Sequence, residues 1–156
     1  MRQFETMLPL AEVRDVADEV RLLFEDLDRA RPLDQRLLPG VFSPTLDALE
    51  SEDAVEIVAD LPGVVPGDVR VLIKGGIVIV AGGKMPPNAS ERADASFQLV
   101  ERDFGRFARA VRFTGAFDTG SATATMTGGE LRVRIPKIEE RRGRDVLIPV
   151  GRTGGS

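Results

Sequence analysis

The chain has 156 residues, enough for one domain burying roughly 70% of the surface its unfolded form exposes, and too few for two comfortable domains. It contains no Cys and no His, which excludes disulfide scaffolds, thiolate zinc sites, iron–sulfur clusters, Ser-His-Asp triads and histidine-ligated metals. The net charge of −4 hides an asymmetry: residues 1–40 hold six Arg against nine acids, 41–100 four basic residues against nine acids, and 101–156 eleven basic residues against seven acids.

In chain order, the first signal is helical. Val13, Val16, Val20, Leu23 and Leu27 recur at spacings of three and four, and Asp15, Asp18, Glu19, Arg21, Asp26 and Asp28 fill the other face, so an amphipathic helix is expected over 12–29. Pro32 and Pro39-Gly40 end it. Such a stripe must be buried, and no second helix follows, so it meets the sheet, another subunit or a foreign chain. From 42 to 137 the chain reads as β. Ala54–Ala59 alternates and stops at Asp60-Leu61-Pro62-Gly63, and Val69–Lys74 and Ile77–Val80 flank Gly75-Gly76. Ala122–Met126 and Leu131–Ile135 flank Gly128-Gly129. Each Gly-Gly pair signals a hairpin whose turn positions need positive φ. Further strands are expected near Ser96–Val100 and Arg106–Phe113, with a polar loop over Lys84–Ala95. Short strands with regular turn signals predict an all-β, immunoglobulin-like antiparallel β-sandwich. Residues 138–156 form a charged, then glycine-rich C-terminal extension. It carries one short apolar segment, Val146–Val150, of the kind that docks in a groove or on a sheet edge.

Catalytic and nucleotide signatures fail. Gly82-Gly83-Lys84 is followed by Met85, and position 78 is Val where a P-loop needs Gly. Asn88-Ala89-Ser90 is a chance glycosylation sequon, because Met1–Thr6 lacks the apolar core of a secretion signal. The clusters Asp15/Asp18/Glu19 and Glu50/Glu52/Asp53 lack calcium-loop spacing and are expected to be solvated faces. In Leu131–Ile135 the arginines alternate with apolar residues, which makes them the wet side of a strand rather than a nucleic-acid patch. No apolar run approaches a membrane span, and a cytoplasmic location is expected.

Several motifs stand in a familiar order. Pro44-x-x-Asp47 comes first, then Asp60-Leu61-Pro62-Gly63-Val64 and Pro66-x-Asp68-Val69. Glu101-Arg102-x-x-Gly105-x-Phe107-x-Arg109, Gly129-x-Leu131, Val133-x-Ile135-Pro136-Lys137 and Ile148-x-Val150 follow. Over about 42–150 the chain resembles a bacterial-type small heat-shock protein of the α-crystallin family. Thr114-Gly115 departs from the Leu-Pro that usually ends the strand after the arginine.

That resemblance implies an ATP-independent chaperone, not an enzyme, with no metal and no cofactor. Its partners would be unfolding client proteins, further copies of itself in dimers and larger homo-oligomers, and ATP-dependent chaperones that refold what it holds. Neither nucleic acid nor membrane is expected. Three regions follow: an arm (1–41), the α-crystallin-like sandwich (42–137) and the tail (138–156). Candidate client-binding residues are Phe4, Val13, Val16, Val20, Leu23, Phe24 and Leu27. By resemblance, Ile148 and Val150 anchor the tail in a neighbour's groove, for which Val71, Ile73 and Leu131 are candidate lining. Phe97 and Arg109 would lie at a dimer interface formed by exchange of the Lys84–Ala95 loop and the strand after it, with Arg109 meeting a carboxylate. The other reading from the residues is a monomeric CS-type sandwich acting as a co-chaperone or adaptor for one folded partner.

Overall fold

The computed structural model describes residues 15–30, 42–85, 98–99, 101–138 and 147–151. A helix, α1 (Ala17–Ala30), precedes seven strands: β1 (Leu46–Glu50), β2 (Ala54–Asp60), β3 (Val69–Lys74), β4 (Ile77–Lys84), β5 (Gly105–Arg112), β6 (Thr123–Thr127) and β7 (Glu130–Pro136). They form two antiparallel sheets, ordered β1-β2-β7-β6 and β3-β4-β5. The expected sandwich is present, and the helix starts later than its pattern, with Asp15 and Val16 in a turn. Gln98 and Leu99 belong to no strand, and the rest of the strand expected there lies outside the described residues.

Turn chemistry sets the hairpins. Gly75 and Gly76 adopt φ of 56° and 78°, and Gly128 and Gly129 adopt 58° and 79°, values that side-chain-bearing residues rarely reach. The β3–β4 pair is thereby held in the register Lys74↔Ile77 through Val69↔Gly82.

Between the sheets lies the main core. Val55, Ile57 and Ala59 of β2 and Leu131, Val133 and Ile135 of β7 meet Val69 of β3, Val78 and Val80 of β4, and Phe107 and Val111 of β5. Phe42 packs edge-on to Phe107 at 5.6 Å. The period-2 geometry of strands turns Glu130, Arg132 and Arg134 of β7 outward, where they are exposed. The second sheet differs, because β4 is buried on both faces over nearly its whole length. Its outer face makes a second cluster: Ile79 and Ala110 with Leu72, Ile77 and Ala108, covered by Val16, Val20, Leu23 and Phe24. The molecule is therefore three layers deep on this side, α1 being the third.

Candidate functional site

The stripe of α1 is spent on the sheet. Of the candidate client-binding residues, Val16, Val20 and Leu27 are buried, and Leu23 and Phe24 are packed against the second cluster. Phe4 and Val13 lie outside the described residues. The three partners open to the stripe thus reduce, in this structure, to the sheet. Its outer face is itself apolar and needs a cover, which the arm residues expected to meet clients supply here.

Charge closes the rim of this contact. Among the described residues, four ion pairs run from α1 and the turn before it to β3 and β5: Asp15–Arg112 at 3.7 Å, Glu19–Lys74 at 2.8 Å, Asp26–Arg70 at 2.8 Å and Asp28–Arg106 at 2.8 Å. Both oxygens of Asp28 accept from Arg106 Nη2, and the Arg106 guanidinium also lies 5.1 Å from the centroid of the Phe24 ring. The hydrogen bond from Lys74 holds the Glu19 carboxyl below its ordinary range and raises the lysine, and Arg70 likewise lowers Asp26. The expectation of a solvated acidic face holds for Asp15, which stays exposed beside Arg112, and is corrected for Glu19, which reaches Lys74, and for Glu50, which meets Lys137 at 2.6 Å. The helix keeps its own order through acids in the first turn, Arg29 in the last and the Arg21–Glu25 pair.

The candidate groove residues separate. Val71 and Ile73 of β3 are half-buried at a sheet edge, near the main core that Ala122 and Met126 also pack against. Leu131 is buried inside that core, a position from which it supports the sandwich rather than walls an open groove. Where β3 turns into β4, a cleft of about 350 Å³ opens between the sheets, lined by Ile73, Val78, Phe113, Phe117 and Ile135 with the Gly75-Gly76 turn. Phe117 is held there by its bridge to Lys137, and Gly115, in the departing Thr114-Gly115 turn, takes φ of 122°. Ile148 and Val150 are 76% and 97% exposed, so neither is seated on its own sandwich.

Arg109 shares the inner face of β5 with Phe107 and Val111, two residues away on either side, and is buried. Its Nη1 donates to the Pro44 carbonyl at 2.8 Å, which ties the start of the domain to the second sheet. Phe97 lies outside the described residues. At the end of β4, Lys84 is buried against Phe42, 4.8 Å from that ring's centroid, and burial together with nearby Arg102 lowers its pKa. The described residues hold no cluster of metal-ligating side chains, and no described helix is long and apolar enough to cross a membrane.

Two sheets in this order, with the Gly105–Arg112 strand beside the Gly-Gly hairpin, match a known pattern. The profile of the Hsp20/alpha crystallin family fits residues 47–149. The chain belongs to that family. Heat shock protein 16 of Schizosaccharomyces pombe is 30% identical over 118 residues, spanning 76% of this chain and 82% of that protein. Spore protein SP21 of Stigmatella aurantiaca is 32% identical over 110 residues, covering 70% and 64%. Among solved structures, heat shock protein 16.0 from S. pombe superposes with a TM-score of 0.59 at 29% identity, covering 85% of this chain and 93% of that one. A small heat-shock protein from Xylella fastidiosa gives 0.57 at 28% identity, covering 70% and 98%. As a small heat-shock protein the chain is a chaperone and not an enzyme.

The residues that sequence reasoning missed are the outer-face floor, Leu72, Ile77, Ile79, Ala108 and Ala110, and the cations around it. A signal existed. Ile77-Val78-Ile79-Val80-Ala81 is unbroken by any polar residue, as expected of a strand covered on both faces.

Proposed function

We propose that this small heat-shock protein is an ATP-independent holdase, which binds unfolding proteins through apolar surface and keeps them from aggregating. The observation that carries the reading is the docking of α1. A short amphipathic helix is marginal alone, and this one is held on an apolar sheet by a modest cluster and largely exposed ion pairs. Warming releases it, and the arm residues Phe4, Val13, Val16, Val20, Leu23, Phe24 and Leu27 then meet clients. Burying apolar client surface gains roughly 25 cal/mol per Å², which is tolerant of client sequence. The protein works in the cytoplasm on proteins rather than nucleic acid or membrane, and passes clients to ATP-dependent chaperones for refolding.

Assembly follows the same chemistry. Exposed Ile148 and Val150 enter the edge of a neighbour at Val71 and Ile73, a burial worth roughly 3–6 kcal/mol before ordering costs. The Lys84–Ala95 loop with Phe97 exchanges between subunits, and Arg109 then adds a partner carboxylate to its hold on Pro44. Changing Ile148 and Val150 together to Ala is expected to reduce the oligomer to dimers or small species by size-exclusion chromatography, and unchanged elution would sink this role of the tail. The function itself is tested by light scattering from a heat-aggregating client mixed with the full chain. Suppression is expected to be equal with and without ATP, and a need for ATP, or no suppression, overturns the reading.

A further inference from the structure

We propose that the seat of α1 is itself a docking groove, selective for acidic amphipathic segments of unfolding proteins, and that α1 is its resident competitor. The inference rests on the holdase reading and adds a second, charge-reading surface to it. The strands of the second sheet carry Arg70, Lys74, Lys84, Arg106, Arg109 and Arg112 and not one Asp or Glu. The first sheet, by contrast, is mixed, carrying Asp47, Glu50, Glu56, Asp60 and Glu130 with Arg132 and Arg134 along its strands. A groove needs a floor and walls, and here the floor is Leu72, Ile77, Ile79, Ala108 and Ala110. Arg70 and Lys74 stand along one edge of it on β3, and Arg106 and Arg112 along the other on β5.

Each of these four cations meets a carboxylate of α1 or of the turn before it. The occupant seen is thus a template for what fits: an apolar helical stripe about four turns long with acids on both flanks. An apolar segment flanked by Lys or Arg would place like charges against the rim, so the seat discriminates by repulsion as well as attraction. The floor is aliphatic with no ring to stack a base, which favours a protein segment over a nucleic acid.

The probe is a dye-labelled peptide of residues 15–30, read by anisotropy with the full chain, alongside a peptide in which Asp15, Glu19, Asp26 and Asp28 are replaced by their amides. The full chain is also prepared with Val20→Ser, which loosens the resident helix. Binding of the acidic probe is expected to tighten about tenfold with Val20→Ser, as removal of an internal competitor requires. The amide probe is expected to bind about fivefold more weakly at low salt, a difference that fades near 0.5 M salt, where the screening length falls to about 4 Å. Arg70→Gln with Arg106→Gln, which removes two of the four pairs, should weaken the acidic probe about twofold, part of the way to the amide probe's level. Lys74→Gln with Arg112→Gln is the second pair should the first unfold, as judged by circular dichroism. Equal binding of the two probes, or indifference to both pairs of substitutions in folded protein, overturns the proposal, as does displacement of the probe by an equal concentration of single-stranded oligonucleotide. If client protection persists through those outcomes, the holdase reading stands and only the seat falls. Absence of client protection removes the holdase reading whatever the probe does.

Discussion

In the first sheet, β7 buries Leu131, Val133 and Ile135 and gives Glu130, Arg132 and Arg134 to water; in the second, β4 buries Val78 and Val80 on one face and Ile79 and Ala81 on the other. The first sheet is complete once it meets its partner. The second is complete only with a third layer, and that layer is a 14-residue helix joined to it by a small cluster and exposed charges. Two faces that look alike in burial should therefore differ in energy. Opening the inner face means unfolding the domain, whereas opening the outer face means undocking one helix.

The sharpest test sets Ile57→Ala against Ile79→Ala, since both side chains are fully buried. Ile57→Ala is expected to cost about 2–5 kcal/mol in urea unfolding, as cavities in such cores do. Ile79→Ala is expected to cost less than half of that, because undocking α1 caps the loss, and to speed hydrogen exchange in α1 alone. Equal costs with unchanged exchange would show the helix to be an integral layer. A smaller contrast compares the rim with the wet face. Arg106→Gln gives up Asp28 and the Phe24 ring and should cost about 0.5–1 kcal/mol, whereas Arg132→Gln, whose partner Glu130 sits at 3.8 Å in the open, should change stability by less than about 0.5 kcal/mol. Thermal melts of the two variants decide it.

The smallest effect is that of pH. Glu19 and Asp26 have carboxyl pKa values lowered by Lys74 and Arg70, so their share of the docking is present above the ordinary values of 4.5 and 3.8 and is lost as pH falls through the lowered ones. Lys74 is raised by Glu19, so its share is present below 10.5 and is lost only as pH climbs through the raised value. Protection of α1 amides should then be flat from about pH 5 to 9 and fall in acid before the sandwich melts. A drop near pH 7 would contradict this account of the rim.

Much of this was written in the sequence. Alternation, Gly-Gly turns and the spacing of Val16, Val20, Leu23 and Leu27 each report on a local period, and the helix and both Gly-Gly hairpins they predict are present, whereas Gln98 and Leu99 of the strand expected near Ser96–Val100 lie in none. Strand β1 was hidden inside a stretch read only as generally β, because Leu46-Asp47-Ala48-Leu49-Glu50 sits at an edge and is only half-buried. What local pattern does not encode is which faces meet. The stripe said that a cover existed and Ile77–Ala81 said that a cover was needed, yet no short-range rule joins residues about sixty positions apart. Charge totals gave no long-range clue either: the arm is net acidic, but so is the 41–100 segment that holds Arg70, so they do not single out the pairs Asp26–Arg70 and Asp28–Arg106. Leu131 is the converse case: alternation with Arg132 and Arg134 already turns its side chain inward, and its place in the core between the sheets removes it from the groove that the resemblance assigned.

The bond from Arg109 to the Pro44 carbonyl fixes where the arm is moored. Ala30 and Pro44 are fourteen residue steps apart, a span of at most about 50 Å. An undocked α1 thus stays within a sphere of that radius, at an effective concentration of at least about 3 mM. An arriving segment with the same intrinsic affinity would need millimolar abundance to displace the helix, while one binding a thousandfold more tightly would succeed near micromolar. Under the proposed competition for the seat, the mooring at Pro44 would set a concentration threshold, below which stray polypeptide is ignored and above which unfolding chains compete for the sheet.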